Sequence, residues 1–177
     1  MKSKIALAFI AFILFASFTF AAPINVAVGA TVTASHGNAS GSVPGNLADG
    51  SRSSFSQIYG NNYGWWQFDL NAVYTVNSAH YEGLTSFYLF PQYKIYAKLN
   101  LSDSWNLIVS VTNNATISND HTFAPVTARY WLFEAWSNYV HPAWSELELY
   151  QSAVPEPSVF LLLSLGIFML FARKSLL

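Results

Sequence analysis

The sequence predicts an all-β fold, an antiparallel sandwich, on three observations. Short runs rich in β-branched and aromatic residues recur along residues 22–153, clusters of Gly, Asn, Ser and Pro separate them, and no helical period is sustained between the two ends of the chain. In order, the runs are NVAVGATVTA (25–34), WWQFDL (65–70), YTVNSAHYEG (74–83), YKIYAKL (93–99), WNLIVSVTN (105–113), ARYWLFEAW (128–136) and SELELYQ (145–151). Between them HGNASGSVPGN (36–46), YGNNYG (59–64) and VTNNATISND (111–120) supply the residues that turn a chain at low cost. About eight main strands follow from that spacing, with short helical turns at most.

Side chains alternate across a strand, so the runs also predict faces. In SELELYQ, Leu147 and Leu149 alternate with Glu146 and Glu148; one face enters the core and the other meets solvent or a cation. In ARYWLFEAW, Tyr130, Leu132 and Glu134 point one way, and Arg129, Trp131, Phe133 and Ala135 the other. Both sides call for cover, which suits a central strand.

The chain has 177 residues, 10% charged and 53% hydrophobic, with no cysteine and a formal net charge of -1. That is one domain's worth of chain. The average misleads, because Met1 to Ala22 and Ser158 to Ala172 are nearly pure hydrocarbon. Without the ends, about 132 residues remain, enough to bury roughly two thirds of their unfolded surface around one core. In that middle, Arg52, Lys94, Lys98 and Arg129 face eight carboxylates, so there is no basic stripe to displace the counterions of a nucleic acid. The absence of cysteine removes disulfides, thiolate nucleophiles and Cys-ligated zinc together.

At the N-terminus Lys2 and Lys4 precede an apolar run that exits through Ala21, Ala22 and Pro23, the charged, hydrophobic and small-residue order of a secretory signal over residues 1–21. Cleavage after Ala21 places Thr19 and Ala21 at the two recognition positions; a permanent N-terminal membrane helix is the alternative. At the C-terminus, residues 154–177, the turn Val154, Pro155, Glu156, Pro157 leads into about 15 apolar residues and then Arg173 and Lys174. This tail resembles the PEP-CTERM sorting signal of Gram-negative bacteria. The resemblance implies a transmembrane helix that anchors the protein transiently in the inner membrane, recognition there by an exosortase, cleavage near Val154 to Pro157, and release to a cell surface or an extracellular matrix rich in exopolysaccharide. A simple tail anchor is the alternative.

The order of motifs in the middle is more informative than any one of them: NLADGSRSS follows the first strand run, then WWQFDLNAVYTV, YKIYAKLNLSDSWNLI, HTFAPVTARYWLFEA and SELELY. From Asn25 to about Tyr150 this resembles the coagulation factor 5/8 type C, or discoidin, domain. The resemblance implies a galactose-binding-like jelly roll over residues 22–153, with many members binding carbohydrate and others lipid or protein surfaces. Three features depart from the pattern: Asn71 stands where Gly is usual, Phe55 is the nearest aromatic where a Trp commonly follows the Asp-Gly turn, and the terminal disulfide of animal members cannot form.

In NLADGSRSS, Asp49 and Gly50 suit a tight turn where oxygens could converge on a hard cation, and Ser54 offers another. The resemblance implies a structural calcium at this turn, held by Asp49, Ser54 and Glu146 with carbonyls near Asn46 and Ser51. An Asx turn without metal is the alternative. A sugar site needs an aromatic face for the ring and amides or imidazoles for its hydroxyls. Three segments offer that mixture: Tyr59, Asn61, Asn62, Tyr63 and Trp65; Tyr88, Phe90 and Gln92; and Trp136, Asn138, Tyr139 and His141. Trp65, Trp66, Trp105 and Trp131, taken singly, read as core or core edge.

No catalytic constellation is found: His36, His80, His121 and His141 are dispersed and read as surface or loop polarity, and no nucleophile elbow or zinc-binding motif occurs. The sequons at Asn38, Asn100 and Asn114 read as turn chemistry. The expectation is an exported, non-enzymatic module whose partner is a glycan or exopolysaccharide. The alternative is a structural or adhesion protein of the matrix that binds protein partners without a sugar pocket.

Overall fold

The computed structural model describes residues 22–39, 41–139 and 141–151. The expected signal peptide, at 1–21, and the PEP-CTERM tail with Val154, Pro155, Glu156, Pro157, Arg173 and Lys174 lie outside the described residues. Among the described residues no helix is long and apolar enough to cross a membrane.

Among the described residues eight strands run β1 Ile24–Asn25, β2 Thr31–Ala34, β3 Ser56–Gln57, β4 Tyr63–Gly83, β5 Gln92–Lys98, β6 Asn106–Thr112, β7 Ser118–Trp136 and β8 Ala143–Gln151, with short 3-10 turns at Pro44–Ala48 and Ser86–Tyr88. Every pairing between them is antiparallel. Two of the strands are far longer than the sequence runs suggest. WWQFDL and YTVNSAHYEG join into the single 21-residue β4, and the segment from Ser118 joins ARYWLFEAW to make the 19-residue β7.

Those two strands organise the molecule. They pair with each other from Tyr63↔Trp136 to Glu82↔Ser118, and the register slips between Asp69 and Tyr74 and between Val76 and Ser78. Slips of this kind bend a ribbon. The bend lets the first half of β4 join β2 and the last half of β7, with β5 and β6 beyond, while its second half joins β8, which also carries β1 and β3. The result is a jelly-roll sandwich whose two layers share their central strands. At the bend Asn71 takes φ 63, its N–H donating to Asp69 Oδ1 at 2.8 Å. Asn enters this left-handed region more readily than most residues, and so fills a position where Gly would be the default.

Alternation along the strands sets the core. Trp66, Phe68, Tyr93, Ile95, Trp131, Phe133 and Ala135 face inward from one layer, and Tyr81, Trp144, Leu147 and Leu149 from the other, all at most 1% exposed. Phe133 joins the layers: its ring stacks on Trp144 at 4.1 Å and on Tyr81 at 5.4 Å. Such pairs add about 0.5–1.5 kcal/mol each beyond the area they bury. As expected, β7 is central, lying between β4 and β5. Of the two alternatives for the second face of β8, solvent is corrected, because Glu146 and Glu148 are also buried, under the chain around Gly50 to Arg52, with the Arg52 guanidinium on Glu148.

Strand direction places the loops. Ala34 pairs with Trp66, Gln57 with Ala143, Gly83 with Trp144 and Gln92 with Trp136, so the segments 35–39, 58–62, 84–91, 137–139 and 141–142 gather at one end. Ile24 pairs with Gln151, and Gln151 with Val76 at the bend, so the described chain enters and leaves at the other end.

Candidate functional site

The loop end is built by exchange between neighbouring connections. Asn61 O accepts the His141 N–H at 3.1 Å, and Asn62 O accepts the Ser137 N–H at 2.8 Å, which locks the β3–β4 connection to the β7–β8 connection. The Gly60 N–H donates to His141 Nδ1 at 2.7 Å. With Nδ1 accepting, a neutral His141 carries its proton on Nε2, where it is a donor. The Tyr59 ring stacks on His141 at 4.4 Å, with an interplanar angle of 25°. That stack holds the imidazole and leaves Tyr59 67% exposed.

His36 completes this end. The Asn61 amide nitrogen lies 3.1 Å from His36 Nε2, and His36 Nδ1 lies 2.7 Å from Ser35 Oγ, which also accepts the Trp65 N–H. Sequence reasoning had set His36 aside with the other histidines. Its position depends on the register of β2 against β4, in which Ala34 pairs with Trp66, and no local pattern records a pairing thirty residues apart.

Tyr63 and Trp136 are cross-strand partners at the rim, with ring centroids 5.2 Å apart. Lys94 Nζ sits 5.3 Å from the Trp136 ring. Asn138 and Tyr139 are exposed in the same connection. The third segment divides: Gln92 is exposed at the start of β5, paired with Trp136, and Tyr88 is half-buried in its 3-10 turn. Phe90 is a correction, because its side chain is fully buried against Trp66, Tyr81 and Phe133 and has no surface to offer a ligand. It lies on the inner side of the segment and fills the core. Trp66 and Trp131 are core, as expected, whereas Trp65 and Trp105 are half-buried.

On the second layer, the turn after Pro44–Ala48 gathers oxygens. Ser54 Oγ donates to Asp49 Oδ2 at 2.7 Å and lies 2.8 Å from Ser51 O and 3.4 Å from Asn46 O. Glu146 Oε1 accepts the Gly50 N–H at 3.1 Å, Gly50 having φ +78, a conformation other residues resist. Glu146 is fully buried, and its Oε2 has no hydrogen-bond partner among the described residues. Burial, aided by the Asp49 and Glu148 charges, pushes its carboxyl up to about 7. An orphaned carboxylate oxygen beside a carboxylate, a hydroxyl and two carbonyls is the donor set a hard cation takes, so the residues fit calcium. Beyond it, Arg52 holds Glu148 with a contact of 2.9 Å, and His80 lies between Asp120 and Glu82 at 2.7 and 3.0 Å.

Residues 31–148 match the model of the F5/8 type C domain. The chain belongs to that family. Solved structures of similar fold include chitosan-binding module 1 of a Paenibacillus sp. IK-5 chitosanase/glucanase, 23% identical with a TM-score of 0.65 over 72% of this chain and 98% of that one. A fucose-binding module from Streptococcus pneumoniae is 20% identical, TM-score 0.62, over 73% and 96%. The family 32 carbohydrate-binding module of S. pneumoniae EndoD is 18% identical, TM-score 0.63, over 73% and 100%. Among curated proteins no match is found. The F5/8 type C domain here therefore has the galactose-binding-like jelly-roll fold that carbohydrate-binding modules also use.

Proposed function

We propose that this F5/8 type C domain is a non-catalytic carbohydrate-binding module that works at the cell surface or in the exopolysaccharide matrix after export. One observation carries the reading: exposed and half-buried rings converge at the loop end with imidazoles and amides already held in place. Tyr59, Tyr63 and Trp136 offer apolar faces for a pyranose ring, and His36, Asn61 and the His141 Nε2–H offer polar partners for its hydroxyls. Binding would be reversible stacking and hydrogen bonding. The solved neighbours that bind chitosan or fucose support the choice of sugar over protein.

Calcium would be structural. Asp49, Ser54, Glu146 and the carbonyls of Asn46 and Ser51 would hold it, and its charge would satisfy the buried Glu146 carboxylate, tying the 49–54 turn to β8. The C-terminal segment, read as a PEP-CTERM signal, would bring exosortase and the inner membrane as transient partners. The domain's described ends lie opposite the loops, which supports a module whose ligand end is left clear of its own first and last strands.

The test is a glycan array probed with residues 22–153, which hold the compact unit Pro23–Ser152, with and without calcium and including the host's exopolysaccharide. Reproducible binding that Tyr63→Ala or Trp136→Ala abolishes is expected. A clean negative overturns the sugar reading in favour of a structural or protein-binding one.

A further inference from the structure

The rim pair Tyr63 and Trp136 does not end the aromatic surface. Along β4, Gly64, Trp66, Phe68 and Leu70 are buried, so Tyr63 and Trp65 stand on the outer face of their layer. The same alternation puts Glu134 and Trp136 of β7, and Lys94 and Tyr96 of β5, on that face. Register makes these residues neighbours: Tyr63 pairs with Trp136, Trp65 with Glu134, and Glu134 with Lys94. All six are half-buried, packed side by side while keeping accessible surface.

Their polar groups are already organised. Tyr63 Oη donates to Glu134 Oε1 at 2.6 Å, and Tyr96 Oη donates to Glu134 Oε2 at 2.9 Å. A carboxylate has about four acceptor sites, so two remain for other hydroxyls. Two phenols clamp the carboxylate in one orientation, and the clamp extends from the loop rim toward the middle of the sheet. From Trp136 to Leu132, the β7 partner of Tyr96, the strand advances about 13 Å, which is room for more than one sugar ring.

We propose that the ligand is a linear, extended polysaccharide bound along this sheet face as well as at the loop end, so that internal residues of the chain are recognised rather than a single terminal sugar. The inference rests on the carbohydrate reading and names its substrate class. Ring faces alternating with a fixed acceptor carboxylate and an ammonium suit a polymer of pyranose rings, whose apolar faces and hydroxyls also alternate. An extended, equatorially linked chain can follow a sheet face in a way that a coiled chain cannot.

The experiment measures, for the full-length protein purified in detergent, the affinity for β-1,4-linked glucosamine, glucose and mannose oligomers of one, two, four and eight residues. In at least one series affinity should rise with length. Tyr96→Ala and Glu134→Gln should remove that rise, weakening the eight-residue oligomer about tenfold, so that long and short oligomers bind alike. Tyr96→Phe, which keeps the ring and loses the hydroxyl, should fall between. Thermal melting establishes that each variant is folded. Affinity independent of length in every series overturns the extended face while leaving the loop-end reading intact; no binding in any series overturns the extended face, and a clean negative on the glycan array alongside it overturns both. A concentration-dependent dimer abolished by Tyr96→Ala, with no length dependence, would assign the face to a second copy of the chain instead.

Discussion

Individual residues divide the labour between core and surface. Phe133 touches both layers, so Phe133→Ala should destabilise the domain by about 3–5 kcal/mol, read as a lower denaturant midpoint in urea. At the turn, Glu146 is fully buried with one oxygen unpartnered among the described residues. If calcium binds there, at a hundred times its dissociation constant it stabilises the fold by about 2.7 kcal/mol. Melting after chelation and calcium addition should show that gain in the native protein and lose it in Asp49→Ala and Glu146→Gln. An Asp49→Ala variant with an unchanged calcium response would remove the site. Residue types were legible early, since Tyr63, Trp136 and Asn61 announce their chemistry by themselves. Phe90 announces the same chemistry yet is buried, because its fate depends on which side of a turn faces the core.

At the scale of elements, the alternation of buried and half-buried side chains along β4, β5 and β7 was readable from sequence, but the continuity of β4 and β7 was not. Asn71 and the residues after it read as a break between runs, whereas they bend one strand between layers. The β3–β4 connection depends on a close approach. A Cβ at Gly64 would collide with the Ile58 side chain, which is fully buried. Gly64→Ala should therefore cost about 1–3 kcal/mol and weaken glycan binding with it, because Ile58 leads directly into Tyr59 and Asn61. Equal stability of Gly64→Ala and the native protein would show that Ile58 has room to move.

For the whole molecule, acid sensitivity follows from groups held in one protonation state. Burial lowers the His121 pKa from its ordinary 6.5, Asp120 opposing, and His121 Nε2 lies 2.8 Å from the Tyr93 hydroxyl. The folded state thus binds fewer protons at this site than the unfolded chain. Its contribution is fully present above pH 6.5 and is lost as pH falls through the folded pKa. Asp69, held down by the Arg129 guanidinium with contacts of 2.7 and 2.8 Å, adds a second loss below the ordinary carboxylate range. Glu146, its carboxyl raised to about 7, opposes the first loss, so in the Glu146→Gln background melting temperature should fall in two stages on acidification, and His121→Gln should flatten the first while Asp69→Asn flattens the second. A single stage unaffected by His121→Gln would assign the sensitivity elsewhere.

The sequence by itself determined the all-β class, the order of the strand runs, the family resemblance and the residue types suited to sugar and calcium, because periodicity, turn chemistry and motif order are local and survive without partners. Only the tertiary structure decided which of those residues meet. His36 reaches Asn61 across a strand pairing, Glu146 is buried by a turn almost a hundred residues away in the chain, and Glu134 gains two tyrosine hydroxyls from separate strands. Register and burial are properties of the packed sheet, set by contacts distant in sequence, and no single run of residues encodes them.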